Sequence, residues 1–100
     1  MAETKIKDDV EIDFDSMVPG LYKVVLLNDD QTPMDFVIAL LIHIFKHTEE
    51  RAREITMTVH NEGAGVAGVY PYEIAEQKGV ESLTLSRQNG WPLAIRVEEE

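Results

Sequence analysis

Residues 22–37, Tyr-Lys-Val-Val-Leu-Leu-Asn-Asp-Asp-Gln-Thr-Pro-Met-Asp-Phe-Val, constrain this chain more than any other stretch. The run from Leu21 to Leu27 is rich in Val, Leu and Tyr, which predicts a strand. It ends abruptly in three polar side chains, Asn28, Asp29 and Asp30. Thr32-Pro33-Met34-Asp35 then reads as a helix start, with Thr32 as N-cap, Pro33 at the first helical position and Asp35 in the first turn. Acceptor oxygens are therefore held on a short turn, beside Met34 and Val37 of the helix that follows. Such a turn suits a small cation attached to an apolar group. A free peptide N-terminus beginning with a bulky apolar residue fits that description.

The first helix is expected to reach about Lys46-His47, whose basic side chains suit a C-terminal end. Phe36, Val37, Ile38, Leu40, Leu41, Ile42, Ile44 and Phe45 cover most of its circumference. It must lie centrally in the domain or leave a patch for a partner. Thr48 caps a second helix, with Ala52, Ile55 and Val59 on one face and Gly63 as its stop. Ala64 to Tyr70 reads as a strand, Pro71 opens a third helix over about Tyr72 to Gln88, and Asn89-Gly90 ends it. Gly79 weakens that helix by roughly 1 kcal/mol relative to Ala. Pro92 to Glu98 alternates as a last strand. The expected fold is α+β, in the order β-α-α-β-α-β, with a three-stranded sheet covered on one face by three helices.

Residues 1–20 read differently. Glu3, Asp8, Asp9, Glu11, Asp13 and Asp15 outweigh Lys5 and Lys7, apolar residues keep no period, and Pro19-Gly20 closes the segment. We expect a flexible acidic N-terminal extension over 1–20 and one core domain over 21–100.

The net charge of −10 argues against nucleic-acid binding, which needs clustered Lys and Arg, and against an anionic membrane surface. The absence of cysteine excludes disulfides and thiolate metal sites. Phe36–Phe45 is about half the length of a bilayer-spanning helix. No secretory layout precedes it. A cytoplasmic, monomeric domain is expected.

Asn28-Asp29-Asp30 supports two readings. Asn and Asp end strands by bonding their own backbone. Alternatively, the Asn amide oxygen and an Asp carboxylate capture an ammonium, whose three N–H donors need converging acceptors. His60 is the candidate third acceptor, although a lone histidine near a helix end is commonly a surface residue. Asp29, Asp30 and His60 as metal ligands form a weaker reading, because no EF-hand, His-Glu-x-x-His or cysteine pattern is present. No nucleophile elbow or phosphate-cradling loop supports catalysis or a cofactor.

Tyr22 to Asp30, followed by Thr32-Pro33-Met34 and Phe36-Val37, resembles the ClpS adaptor family. Val59-His60 with Gly63, Gly68-Val69-Tyr70, Glu73, Ala75-Glu76, Lys78 and Pro92-Leu93 extend the likeness over residues 21–97. The resemblance implies a non-enzymatic adaptor of the bacterial N-end rule pathway. Such adaptors bind proteins starting with Leu, Phe, Tyr or Trp (N-degrons) and hand them to the ClpAP unfoldase–protease. It implies that Asn28, Asp29 and His60 hold the α-amino group, with Asp30 structural or peripheral. It implies a side-chain pocket of Leu27, Thr32, Met34, Val37, Thr56, Val59 and Leu93, in which Met34 rejects β-branched residues. Glu73, Glu76 and Lys78 resemble the surface that docks on the N-domain of a ClpA-type unfoldase, and residues 1–20 the extension needed for delivery.

Thr56 stands where the family commonly has a larger apolar residue. Gly79, Ser82 and Ser86 replace more apolar residues, and Trp91 replaces a common His. These departures imply a divergent paralogue. The alternative is a structural interaction module, because the same element order resembles the ribosomal stalk protein's C-terminal domain. That reading gives Asn28-Asp29 no role.

Overall fold

A computed structural model describes residues 4–6, 10–12 and 20–100. The elements are β1 (Thr4–Ile6), β2 (Val10–Ile12), β3 (Leu21–Leu27), α1 (Met34–His43), α2 (Glu49–Glu62), β4 (Ala64–Pro71), α3 (Tyr72–Gln88) and β5 (Ala94–Glu99). β4, β3 and β5 form the antiparallel three-stranded unit predicted from the sequence, with β3 central. The sheet continues beyond it, in the order β1-β2-β5-β3-β4. β2 pairs parallel with β5, aligning Glu11 with Arg96 and Ile12 with Val97, and β1 pairs antiparallel with β2. Two three-residue strands, β1 and β2, thus fall within the 1–20 segment for which a flexible extension was expected. Backbone pairing to the open edge of β5 supplies the order that composition did not suggest. The rest of that arm lies outside the described residues.

On β3, Tyr22, Val24 and Leu26 alternate toward the helices and are almost wholly buried, as are Ile95 and Val97 of β5. Each such side chain stabilises the fold by roughly 1.5–3 kcal/mol on burial. α2 packs on β4, and α3 crosses β3, β4 and β5. α1 lies against α2, so it is not the central helix. Its Val37, Leu40 and Leu41 are buried, while Phe36, Ile38 and Ile42 pack half-buried at the core's margin.

Three helix boundaries carry information. Pro33, not Thr32, is the N-cap of α1 (φ −67°, ψ 145°); no side chain caps the helix, and the Thr32 hydroxyl is directed back to donate to Asp29. α1 ends at His43, short of Lys46-His47. Ile44 is its C-cap, Lys46 turns through a left-handed φ of 62°, and the His47 ring meets the Ala67 carbonyl at 2.6 Å. α2 matches expectation: Thr48 accepts from the Arg51 N–H at 3.1 Å, and Gly63 at φ 91° closes the helix.

α3 runs unbroken through Gly79. Ala75, Gly79, Ser82 and Ser86 are all buried on its sheet-facing side. Small side chains let the helix approach the strands closely, which offsets the propensity cost of glycine. The Ser82 and Ser86 hydroxyls donate to Lys78 O and Ser82 O, both at 2.8 Å, so neither remains an orphan in the core.

Candidate functional site

The site forms where β3 ends beside the C-terminus of α2. The Asn28 N–H donates to Gly63 O at 2.9 Å, tying the turn after β3 to the end of that helix. Because His60 lies in the last turn of α2, this bond sets it at the same cavity as Asn28. Gly65 permits the closeness: a Cβ there would lie 2.8 Å from Cγ2 of Val59, too near for β4 and α2 to keep their spacing.

Asp29 organises the turn itself. Its Oδ1 accepts from the N–H groups of Gln31 (2.8 Å) and Thr32 (2.7 Å), and its Oδ2 accepts from the Thr32 hydroxyl (2.8 Å). Burial pushes the Asp29 pKa up, but these three hydrogen bonds and the Arg87 charge outweigh it and hold the carboxyl below its ordinary value. A carboxylate has about four acceptor positions, so one remains, on Oδ2. The two sequence readings of this turn are thus not exclusive. Asp29 bonds its own backbone and still has room for an external donor.

A cavity of about 310 Å³ opens here, near the lower end of the roughly 300–1,000 Å³ typical of small-ligand sites. Asn28, Asp29, Asp30 and His60 supply its polar lining. Leu27, Thr32, Met34, Val37, Thr56, Val59 and Leu93 form the rest. All ten residues named from the sequence for amine and side-chain binding therefore border one hollow, and Asp30, expected to be peripheral, borders it too. Leu93, Thr56, Val59 and Val37 are buried at its base, whereas Met34 is 38% exposed, as a residue at the mouth would be. The Thr56 hydroxyl donates to Ala52 O at 2.8 Å, so its polarity is directed into its own helix. Within the described residues, no hydrogen bond engages the Asn28 amide or the His60 ring, which leaves both open to a ligand. An apolar hollow with acceptors along one side can hold a cation bonded to an apolar group.

Glu73, Glu76 and Lys78 lie apart, on α3. At about 100° per residue, Glu73 and Glu76 stand roughly 60° apart and Lys78 about 140° from Glu73. Lys78 is anchored: its ammonium donates to Ile44 O at 2.7 Å and lies 5.9 and 5.5 Å from the ring centroids of Phe45 and Tyr70. It ties α3 to the end of α1, a role its type and spacing did not reveal. Among the described residues no three His, Asp or Glu side chains converge on a metal position, so the metal reading of Asp29, Asp30 and His60 has no ligand set.

Sequence reasoning missed Arg87. Its Nη1 donates to the carbonyls of Trp91 (2.9 Å) and Leu93 (3.0 Å). No motif marks it, since an arginine in the last turn of a helix is ordinary.

Comparison with known proteins places the chain in a family. Residues 17–96 match the profile of the ATP-dependent Clp protease adaptor protein ClpS. The ATP-dependent Clp protease adapter protein ClpS of Nautilia profundicola is 50% identical over 97 residues, covering 97% of this chain and 96% of that protein. Its counterpart in Bdellovibrio bacteriovorus is 52% identical over 82 residues, covering 82% and 72%. The structure of Agrobacterium tumefaciens ClpS2 bound to L-phenylalaninamide superimposes with a TM-score of 0.79 at 42% identity, over 83% of this chain and all of that one.

Proposed function

This chain belongs to the ClpS family of Clp protease adaptors, and we propose that its cavity captures N-degrons, free N-termini beginning with Leu, Phe, Tyr or Trp. One observation carries the reading: a single hollow combines a buried apolar base with acceptors that the protein leaves available. Phenylalaninamide, the ligand of the Agrobacterium relative, pairs a free α-amine with a benzyl side chain. Those are the two chemistries that this lining suits.

In the proposed complex the first side chain enters between Val37, Val59 and Leu93. The ammonium meets the Asn28 amide oxygen, the remaining acceptor of Asp29 and a ring nitrogen of His60. Energetics require both halves. Burying Phe or Leu contributes roughly 1.5–3 kcal/mol, while micromolar binding needs about 8. Charge-assisted hydrogen bonds to the amine supply much of the difference. An acetylated terminus keeps the side chain but removes the charge, which leaves Asp29 without its partner. Met34 at the mouth meets the ligand near its Cβ, where Ile and Val carry bulk that Leu and Phe lack. Thr56, smaller than the residue common in the family, alters the shape of the base and so the ranking among the four residues.

Binding and transfer need no bond-making by this chain. The captured protein passes to a ClpA-type unfoldase, with Glu73 and Glu76 offered from α3 and the N-terminal segment serving delivery. The adaptor works as a cytoplasmic monomer. No helix among the described residues is long and apolar enough to cross a membrane.

A calorimetric or polarisation screen over peptides starting with each of the twenty residues tests the proposal. Phe- and Leu-initiated peptides should bind, and their acetylated versions should not. Equal affinity for free and acetylated peptides would refute it. Chelator should leave binding unchanged.

A further inference from the structure

Leu93 is 1% exposed and lines the base of the cavity, yet it belongs to no regular element. It sits in the short link between α3 and β5, and the ladder of β5 with β3 begins only at Ala94, opposite Leu27. The backbone of this link has few internal partners. The Trp91 N–H donates to Ser86 O at 2.9 Å, and Pro92 has no N–H to give. The carbonyls on either side of the proline, Trp91 O and Leu93 O, are both held by one nitrogen, Nη1 of Arg87.

We propose that Arg87 is a positioning residue for N-degron binding, clamping the 91–93 link so that Leu93 forms a fixed base to the pocket. The inference rests on the binding reading above. Arg87 reaches the link from the last turn of α3, whose Leu83 and Ser86 are packed into the core, so the clamp refers Leu93 to the rigid body of the domain. A planar guanidinium presents several N–H donors in fixed directions, which suits bridging two carbonyls. An ammonium on a flexible stem does this less well. Arg87 also adds positive charge near Asp29 and favours its ionised form. The same side chain thereby acts on both halves of the site, the apolar base and the charged acceptor.

Arg87→Met and Arg87→Lys variants of the full chain test this. The measurements are Kd for a Phe-initiated peptide, the unfolding midpoint, and the Leu93 methyl resonances of the free protein. All are taken at a temperature where each variant is folded. Arg87→Met should weaken binding roughly tenfold, about 1.4 kcal/mol, and should shift or broaden the Leu93 methyl signals. Arg87→Lys, which keeps the charge and one donor group, should recover part of the affinity. A purely structural role would lower the unfolding midpoint yet leave the Kd of the folded variants unchanged, and that result overturns the proposal. Unperturbed Leu93 signals in Arg87→Met overturn it equally, whatever the protein binds. If wild-type protein fails to bind the peptide, the N-degron reading falls, while the methyl spectra still decide whether Arg87 holds Leu93.

Discussion

Asp29→Asn separates the two tasks of the turn carboxylate. Asp29→Ala would confound them, because it deletes three internal hydrogen bonds along with any bond to ligand. Asparagine keeps an oxygen where the Gln31 and Thr32 N–H groups converge, and those two donors fix its orientation. The amide NH2 then replaces Oδ2, and the Thr32 hydroxyl turns to accept from it. One rearranged neutral hydrogen bond costs the fold about 0.5–1.5 kcal/mol. The ligand loses more, since the atom that faced its ammonium is now a donor without charge. A hydrogen bond to a charged group is worth about 1.5–3 kcal/mol, so affinity should fall roughly ten- to hundredfold. Fluorescence polarisation with a labelled Phe-initiated peptide measures this, with circular dichroism melts to confirm folding. The acetylated peptide is the control: the gap between free and acetylated forms should shrink in the variant. Wild-type affinity in Asp29→Asn would mean that the amine is held elsewhere.

Met34→Ala should open the mouth and admit Ile- or Val-initiated peptides in the same assay, whereas continued rejection would place the filter elsewhere. The lowered pKa of Asp29 fixes the sign of a stability effect. Its contribution is present above the unfolded value of about 3.9 and is lost as pH falls through the lower folded value. The stability difference between wild type and Asp29→Asn in urea titrations should therefore be flat above about pH 5 and shrink below about pH 4. Deleting residues 1–15 should leave peptide affinity unchanged and abolish degradation of a Phe-initiated reporter by ClpAP. Undiminished degradation would remove delivery from the N-terminal segment.

Features written in local chemistry were legible in the sequence. Thr48 and Gly63 bound α2, because a cap needs only a hydroxyl beside an N–H and a residue that tolerates positive φ. The length of α3 was also readable, although Gly79 argued against it. Its tolerance depends on a sheet packed against the helix, which propensity does not include. Thr32 misled for a related reason. A threonine before a proline has the chemistry of a cap, but here its hydroxyl is turned back toward Asp29 three residues earlier, an orientation that is settled in space. The end of α1 was overestimated because Lys46 and His47 resemble helix-terminal residues. In the structure His47 serves the Ala67 carbonyl of a strand twenty positions away.

The chain order by itself determined that a polar turn follows an apolar strand, that three helices and three strands alternate as they do, and which side chains carry acceptors. These follow from periodicity and from bonds between near neighbours. Only the tertiary structure decided that His60 and Leu93, 32 and 65 positions beyond Asn28, share its cavity. The tie between Asn28 and Gly63 and the clamp of Arg87 on Leu93 act through the folded backbone. Bonds between distant segments leave no spacing pattern in the chain, because loop length does not record where the two ends meet.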